Sequence, residues 1–133
     1  MTALGPSIVI VDDDVDHAVI ARIVVQRVAP HAAVSVLTDP RSVPFGLIEA
    51  PHGALVLMDR MLGGLDVTAS LPAICTRRPD LRIVLLSSSL DERARLDALA
   101  GGAVSATEKP PTLAGWYALV SSLLDPPERL AAA

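Results

Sequence analysis

The sequence predicts an α/β fold: a five-stranded parallel sheet with helices on both faces. Three observations carry that prediction. Short apolar runs alternate with helix-length segments five times along the chain, the pattern of βα units joined by right-handed crossovers. Hydrophobic residues make up 51% of the 133 residues while aromatics make up 2%, so the core must be aliphatic. The runs are also continuously apolar rather than alternating, as strands covered on both faces are.

The elements follow in order. Ser7–Val11 (SIVIV) is a β-branched run stopping at acidic residues, hence a buried strand. Asp14–Val28 is helical, capped by Asp13 or Asp14 and stopped by Pro30. Ala33–Leu37 is the second strand. Residues 39–50 hold a short helix whose limits Pro44 and Gly46 obscure. Leu55–Met58 is the third strand, again ending in a carboxylate. Residues 65–78 are helical, and Pro72 inside them argues for a kink or a late start. Arg82–Leu86 (RIVLL) is the fourth strand and runs into three serines. Asp91–Ala100 is a helix closed by Gly101 and Gly102. Ala103–Thr107 is a weak fifth strand, and Thr112–Leu124 is the last helix. Residues 1–125 are expected to form one domain with a core over about 7–124, and residues 126–133 a frayed tail.

Composition excludes several classes of function. Eleven basic against fifteen acidic residues leave a net charge of −4, without the basic stripe of a nucleic-acid binder. Three aromatic side chains offer little for bases to stack on, so direct nucleic-acid binding is not expected. No apolar stretch approaches the roughly 18 residues of a membrane span, and residues 1–6 are too short for a signal peptide. The single cysteine, Cys75, precludes an internal disulfide and fits a reducing compartment. A cytoplasmic location is the expectation.

In open parallel sheets the ligand site lies beyond the carboxyl ends of the strands. Four of the five strands there deliver a group suited to phosphoryl chemistry: Asp12 and Asp13, Asp59, Ser87, and Lys109. Three carboxylates in one crevice repel one another unless a cation sits among them, and oxygen ligands suit Mg²⁺. A nearby lysine binds phosphoryl oxygens as a point charge, and a serine hydroxyl donates to them. An aspartate so placed can attack phosphorus as a nucleophile. No glycine-rich nucleotide loop is present, so the phosphoryl donor is expected to be another protein or a small phosphodonor. Asp12, Asp14 and Asp16 begin like a calcium loop, but His17 stands where that loop needs glycine and Ile23 where it needs glutamate.

The motifs VDDD (Val11–Asp14), LVLMD (Leu55–Asp59), IVLLSS (Ile83–Ser88), GGA (Gly101–Ala103) and KP (Lys109–Pro110) stand in this order at successive strand ends. With them the chain resembles the receiver domain of two-component response regulators (the CheY-like superfamily) over about Ser7 to Leu124. The resemblance implies the flavodoxin-like (βα)5 arrangement with strand order 2-1-3-4-5. It implies Asp59 as phosphoacceptor, and Mg²⁺ served by Asp12, Asp13, Asp59 and the main-chain carbonyl of Met61. Ser87 would move toward the phosphoryl group, Lys109 would contact it, and the Lys109–Pro110 bond would be cis. The implied partners are a sensor histidine kinase or a histidine phosphotransfer protein, and an unidentified downstream protein; homodimer formation is left open. The implied activity is that of a stand-alone signalling phosphoacceptor catalysing only its own phosphorylation and dephosphorylation. The alternatives are a receiver-shaped binding module that works without phosphorylation and, less well supported, a small Mg²⁺-dependent phosphohydrolase. The last would need a second aspartate where Met61 stands.

Several positions depart from the family pattern. Ala106 stands where a tyrosine or phenylalanine is usual, which puts the usual switch in doubt. Gly63 replaces a customary proline and Val67 a customary glycine, so the loop after Asp59 is expected to be mobile. Pro111 stands where an aromatic is common. In the first helix Val19, Ile20, Ile23, Val24 and Val28 leave little polar surface, and Val19 with Ile23 either extend the buried stripe or face a partner. His17, His31 and His52 show no metal-ligand spacing and are expected at the surface. His17 lies close enough to the acidic cluster to touch a metal's outer shell, but solvation is the expectation. Trp116 and Tyr117 are expected to pack. The missing aromatic at position 106 gives a measurable expectation. Beryllofluoride should change amide exchange over Ser87–Leu99 only weakly; strong ordering of that segment would refute an altered switch.

Overall fold

The structure is a computed structural model that describes residues 5–124, so the expected tail at 126–133 lies outside the described residues. Five strands form one parallel sheet: β1 (Ser7–Val11), β2 (Ala33–Leu37), β3 (Leu55–Asp59), β6 (Arg82–Ser87) and β7 (Ser105–Glu108). Their order, β2-β1-β3-β6-β7, is the 2-1-3-4-5 arrangement of the flavodoxin-like fold. The remaining strands, β4 (Met61–Leu62) and β5 (Leu65–Asp66), pair antiparallel as a small ribbon directly after β3.

Alternation along each strand sorts the aliphatic residues into two cores. Val9, Val11, Val56, Met58, Ile83 and Leu85 face one side, where α2 (Val43–Ile48), α3 (Leu71–Arg77) and α4 (Glu92–Ala100) cover them. Ile8, Ile10, Leu55, Leu57, Val84 and Leu86 face the other, against α1 (Val15–Val28) and α5 (Leu113–Leu124). The three central strands are buried on both faces, which is why they read as unbroken apolar runs. Trp116 is buried in the second core, and the Tyr117 hydroxyl accepts a hydrogen bond from Arg27 at 3.2 Å.

Proline sets the helix limits the sequence left uncertain. A 3₁₀ turn at Pro40–Ser42 leads into the six-residue α2, and another at Val67–Ser70 precedes α3. Pro72 therefore marks a late start and sits in the first turn of α3, where its missing N–H goes unneeded. The loop after Asp59 runs through the turn of the β4–β5 ribbon. Gly63 and Gly64 take φ +58° and +81°, as the tight turn between β4 and β5 requires of its central pair. No cis peptide bond occurs among the described residues, so the Lys109–Pro110 bond, expected cis, is trans, the lower-energy isomer of an X–Pro bond.

The glycines after α4 have a packing role. Gly102 has φ +114°, and a Cβ there would lie 2.6 Å from the Cys75 sulfur. Gly102→Ala is therefore expected to lower stability by roughly 3 kcal/mol through backbone strain and overpacking. Urea unfolding with an unchanged slope would show it; a loss below 1 kcal/mol would mean that α3 yields to the added methyl.

Candidate functional site

The sheet ladder continues one residue past three strands and thereby aims the site. Asp12 N–H donates to the Leu37 carbonyl at 3.1 Å, Arg60 N–H to Leu86 at 2.7 Å, and Lys109 N–H to Ser87 at 2.8 Å. The chain is thus still extended where Asp12, Asp59 and Lys109 leave the sheet. Asp12, Asp59 and Ser87 are buried polar residues amid an aliphatic core.

Lys109 joins the strands electrostatically. Its Nζ lies 2.8 Å from Asp12 Oδ2 and 3.4 Å from Asp59 Oδ2. Its third neighbour is His17 Nδ1 at 3.0 Å, which must accept in that contact because an ammonium has only donors. Asp12, Asp13 and Asp59 each present one carboxylate oxygen, all within 4.8 Å of one another. Burial, reinforced by the Asp12 charge, pushes the Asp59 carboxyl up to about 6, against the opposing pull of Lys109.

Backbone donors tie down the acidic pair. Asp12 Oδ1 accepts from the Asp14 N–H at 2.9 Å. Asp14, not Asp13, caps α1, accepting from the N–H groups of Asp16 and His17 at 3.0 and 3.2 Å. Asp13 is left free to point across the crevice, where its Oδ2 accepts from the Gly63 N–H at 2.9 Å. The glycine that replaces the customary proline is therefore a donor to the site, which a proline could not be.

Of the residues expected to act together, Asp12, Asp13, Asp59 and Lys109 converge. Ser87 lies at its strand end, but its hydroxyl donates to the Ser89 carbonyl at 2.6 Å. Met61 stands two residues past Asp59 in the ribbon with an exposed side chain. Ala106 is buried in the core shared with α4.

Two further residues touch the site. His17, expected at the surface but close to the acidic cluster, keeps a partly exposed side chain and contacts Lys109 from the first turn of α1. Arg60 bonds Asp66 Oδ2 at 3.0 Å and the Ser89 carbonyl at 3.3 Å, linking the ribbon to the loop before α4. Only its adjacency to Asp59 pointed to it.

A clustered carboxylate set matches the oxygen donors that Mg²⁺ prefers, and burial, with the Asp12 charge second, makes Asp59 a weaker acid than a free carboxyl.

No family model and no curated protein matches the chain. Solved structures do. The signal receiver domain of a DNA-binding response regulator from Colwellia psychrerythraea superposes with TM-score 0.78 at 19% identity, over 91% of this chain and 99% of that one. A CheY-like response regulator receiver domain protein from Methanospirillum hungatei gives 0.75 at 18%, over 97% and 99%. A response regulator protein from Burkholderia pseudomallei, solved with a phosphorylated aspartic acid and a calcium ion, gives 0.68 at 21%, over 96% and 72%. The chain thus has the fold of response-regulator receiver domains.

The acidity of Asp59 has a definite sign in stability. Its folded value, about 6, lies above the ordinary 3.8, so the metal-free fold loses stability as pH rises through 6 and regains it toward pH 4. In chelator, Asp59→Asn should raise the melting temperature at pH 7.5, and the gain should shrink as pH falls from 6 to 4. A gain independent of pH would show that Asp59 is not strained by its neighbours.

Proposed function

We propose that this protein is a phosphoacceptor receiver: Asp59 takes a phosphoryl group from a histidine kinase or histidine phosphotransfer protein, and the phosphorylated chain signals through protein contacts. The observation that carries the reading is the convergence of Asp12, Asp13 and Asp59 with the Lys109 ammonium at the carboxyl ends of a receiver-type sheet. Mg²⁺ fits this donor set, with the carboxylates of Asp12, Asp13 and Asp59 and the Met61 carbonyl as its ligands. When bound, it supplies positive charge against the carboxylates and the incoming phosphoryl oxygens.

In the transfer, an Asp59 carboxylate oxygen forms the new bond to phosphorus while the donor's bond to phosphorus breaks, its electron pair leaving with the donor nitrogen or oxygen. Lys109, already 3.4 Å from Asp59 Oδ2, stands in reach of the equatorial oxygens and opposes their charge. Asp12 anchors that ammonium at 2.8 Å, so the lysine arrives preorganised. Ser87 completes the set only by exchanging its bond to Ser89 for one to the phosphoryl group.

Docking of the donor is supported by α1. Val15, Val19 and Ile23, four residues apart, are all exposed on the helix that begins at the acidic pair. That exposure favours a partner surface over an extension of the buried stripe. Residues 1–125 are read as the receiver unit, and we read the protein as cytoplasmic. Among the described residues no helix is long and apolar enough to cross a membrane.

Ala106 favours a second reading for the output. A buried alanine has no ring to turn inward when Ser87 moves, so signalling through the usual route is expected to be altered. In the extreme, the chain is a receiver-shaped binding module that works without phosphorylation.

Incubation with acetyl phosphate and Mg²⁺, followed by intact-mass measurement, separates these readings. Wild type should gain one phosphoryl group, and neither Asp59→Ala nor chelator-treated wild type should. No adduct in wild type leaves the binding module; rapid turnover of unrelated phosphate esters would point to a hydrolase.

A further inference from the structure

The face of the sheet opposite α1 carries a second cavity, distinct from the carboxylate crevice. It is a half-open groove of about 550 Å³ between α2 and α3. Met58, Leu47 and Leu62 form an apolar floor, each buried in the core, and Val43 and Ile74 line it beside them. Cavities that bury small ligands run to about 300–1,000 Å³ and are mainly apolar with a few polar groups.

Contacts at both ends hold this groove open. At one end the Arg78 guanidinium donates to the carbonyls of Leu47 and Ile48, at the end of α2, at 2.9 and 3.0 Å. It also pairs with both carboxylate oxygens of Asp80, whose Oδ2 accepts from the Gly53 N–H at 2.8 Å. At the other end Pro40, just before α2, rests on the ribbon turn, where a Cβ on Gly63 would meet it at 3.2 Å. Between these tethers α2 contributes only six residues.

Charge at the groove is unbalanced. Asp66 is paired with Arg60 and Arg78 with Asp80. Arg77 also lines the groove, is exposed, and makes no ion pair among the described residues. An aliphatic floor beside one uncommitted guanidinium matches a ligand with a hydrocarbon body and a single carboxylate head.

We propose that the α2–α3 groove is a binding site for a small aliphatic carboxylate, its chain on Met58, Leu47 and Leu62 and its head at Arg77. None of Asp12, Asp13, Asp59 and Lys109 lines the groove.

Titration of ¹⁵N-labelled protein with decanoate, kept below its micelle concentration, tests the proposal, with decanol as the uncharged control. Saturable amide shifts are expected in α2, the ribbon and α3, with those of α1 and α5 unmoved. Arg77→Glu, a change at an exposed position, should weaken decanoate by about ten-fold and leave decanol unchanged. Ile74→Trp should weaken both by filling the groove. Shifts that never saturate, shifts spread over α1 and α5, or an Arg77→Glu variant that binds decanoate as wild type does would each overturn it. Concentration-dependent shifts at the groove without any probe would overturn it too, in favour of a second copy of the chain as occupant.

Discussion

The ammonium of Lys109 is what allows two buried carboxylates to stand together at the head of an aliphatic sheet. Asp12 and Asp59 emerge from adjacent strands, so their proximity follows from pairing β1 with β3. Each would lose hydration there, and their like charges would add to the penalty. A lysine at the end of β7 reaches both, at 2.8 and 3.4 Å. The compensation is partial, since Asp59 still holds its proton up to about 6. A carboxylate left partly uncompensated in this way gains from any further cation, and it is poised to lose negative charge by forming a bond to an electrophile. On the proposed reading of Asp59 as phosphoacceptor, the stability deficit and the reactivity would have one source.

The parallel sheet turns that local problem into a site. Backbone register carries Asp12, Arg60 and Lys109 one step beyond their strands with hydrogen bonds still in place, so side-chain direction is set before any loop begins. Loops then add donors. Gly63 reaches Asp13 because two successive positive φ values fold the ribbon back over the crevice. The neighbouring groove borrows the same scaffold: Met58 lies in its floor and is the chain neighbour of Asp59, and Leu62 lies in the ribbon that carries Gly63.

Strand runs and their terminal residues are legible in the sequence because both faces of the sheet are buried, which forces continuous apolar stretches that stop abruptly. The convergence of Asp12, Asp13, Asp59 and Lys109 follows from that periodicity and topology alone. What stays hidden depends on rotamers and tight turns. Ser87 can be placed at a strand end from sequence, but not its bond to the Ser89 carbonyl. His17 can be placed near the acidic pair from sequence, but not its contact with Lys109. Gly63 and Gly64 signal a turn in the sequence, but not the bond from the Gly63 N–H to Asp13 that the turn places. Pro72 signals the late start of α3 in the sequence, but not the 3₁₀ turn at Val67–Ser70 that precedes it.

The Ser89 carbonyl is shared by the strand-end serine and by the arginine that follows Asp59. It accepts from the Ser87 hydroxyl at 2.6 Å and from Arg60 at 3.3 Å. A hydroxyl recruited to a phosphoryl group must abandon that carbonyl, and a carbonyl that loses one donor holds the other more strongly. Arg60 also binds Asp66, so the effect of such a step would be to draw the loop before α4 toward the ribbon after β3. In a domain with an aromatic at position 106, movement of the serine opens space for a ring to fill. Here alanine occupies that position with its side chain already packed, and no ring is present to register the space. On the proposed reading, the guanidinium bridge would change its balance of contacts when Ser87 moves. Arg60 ties the Ser89 carbonyl to Asp66 in the ribbon, so that change would be felt on the ribbon side of the sheet and not at the α4–β7 surface.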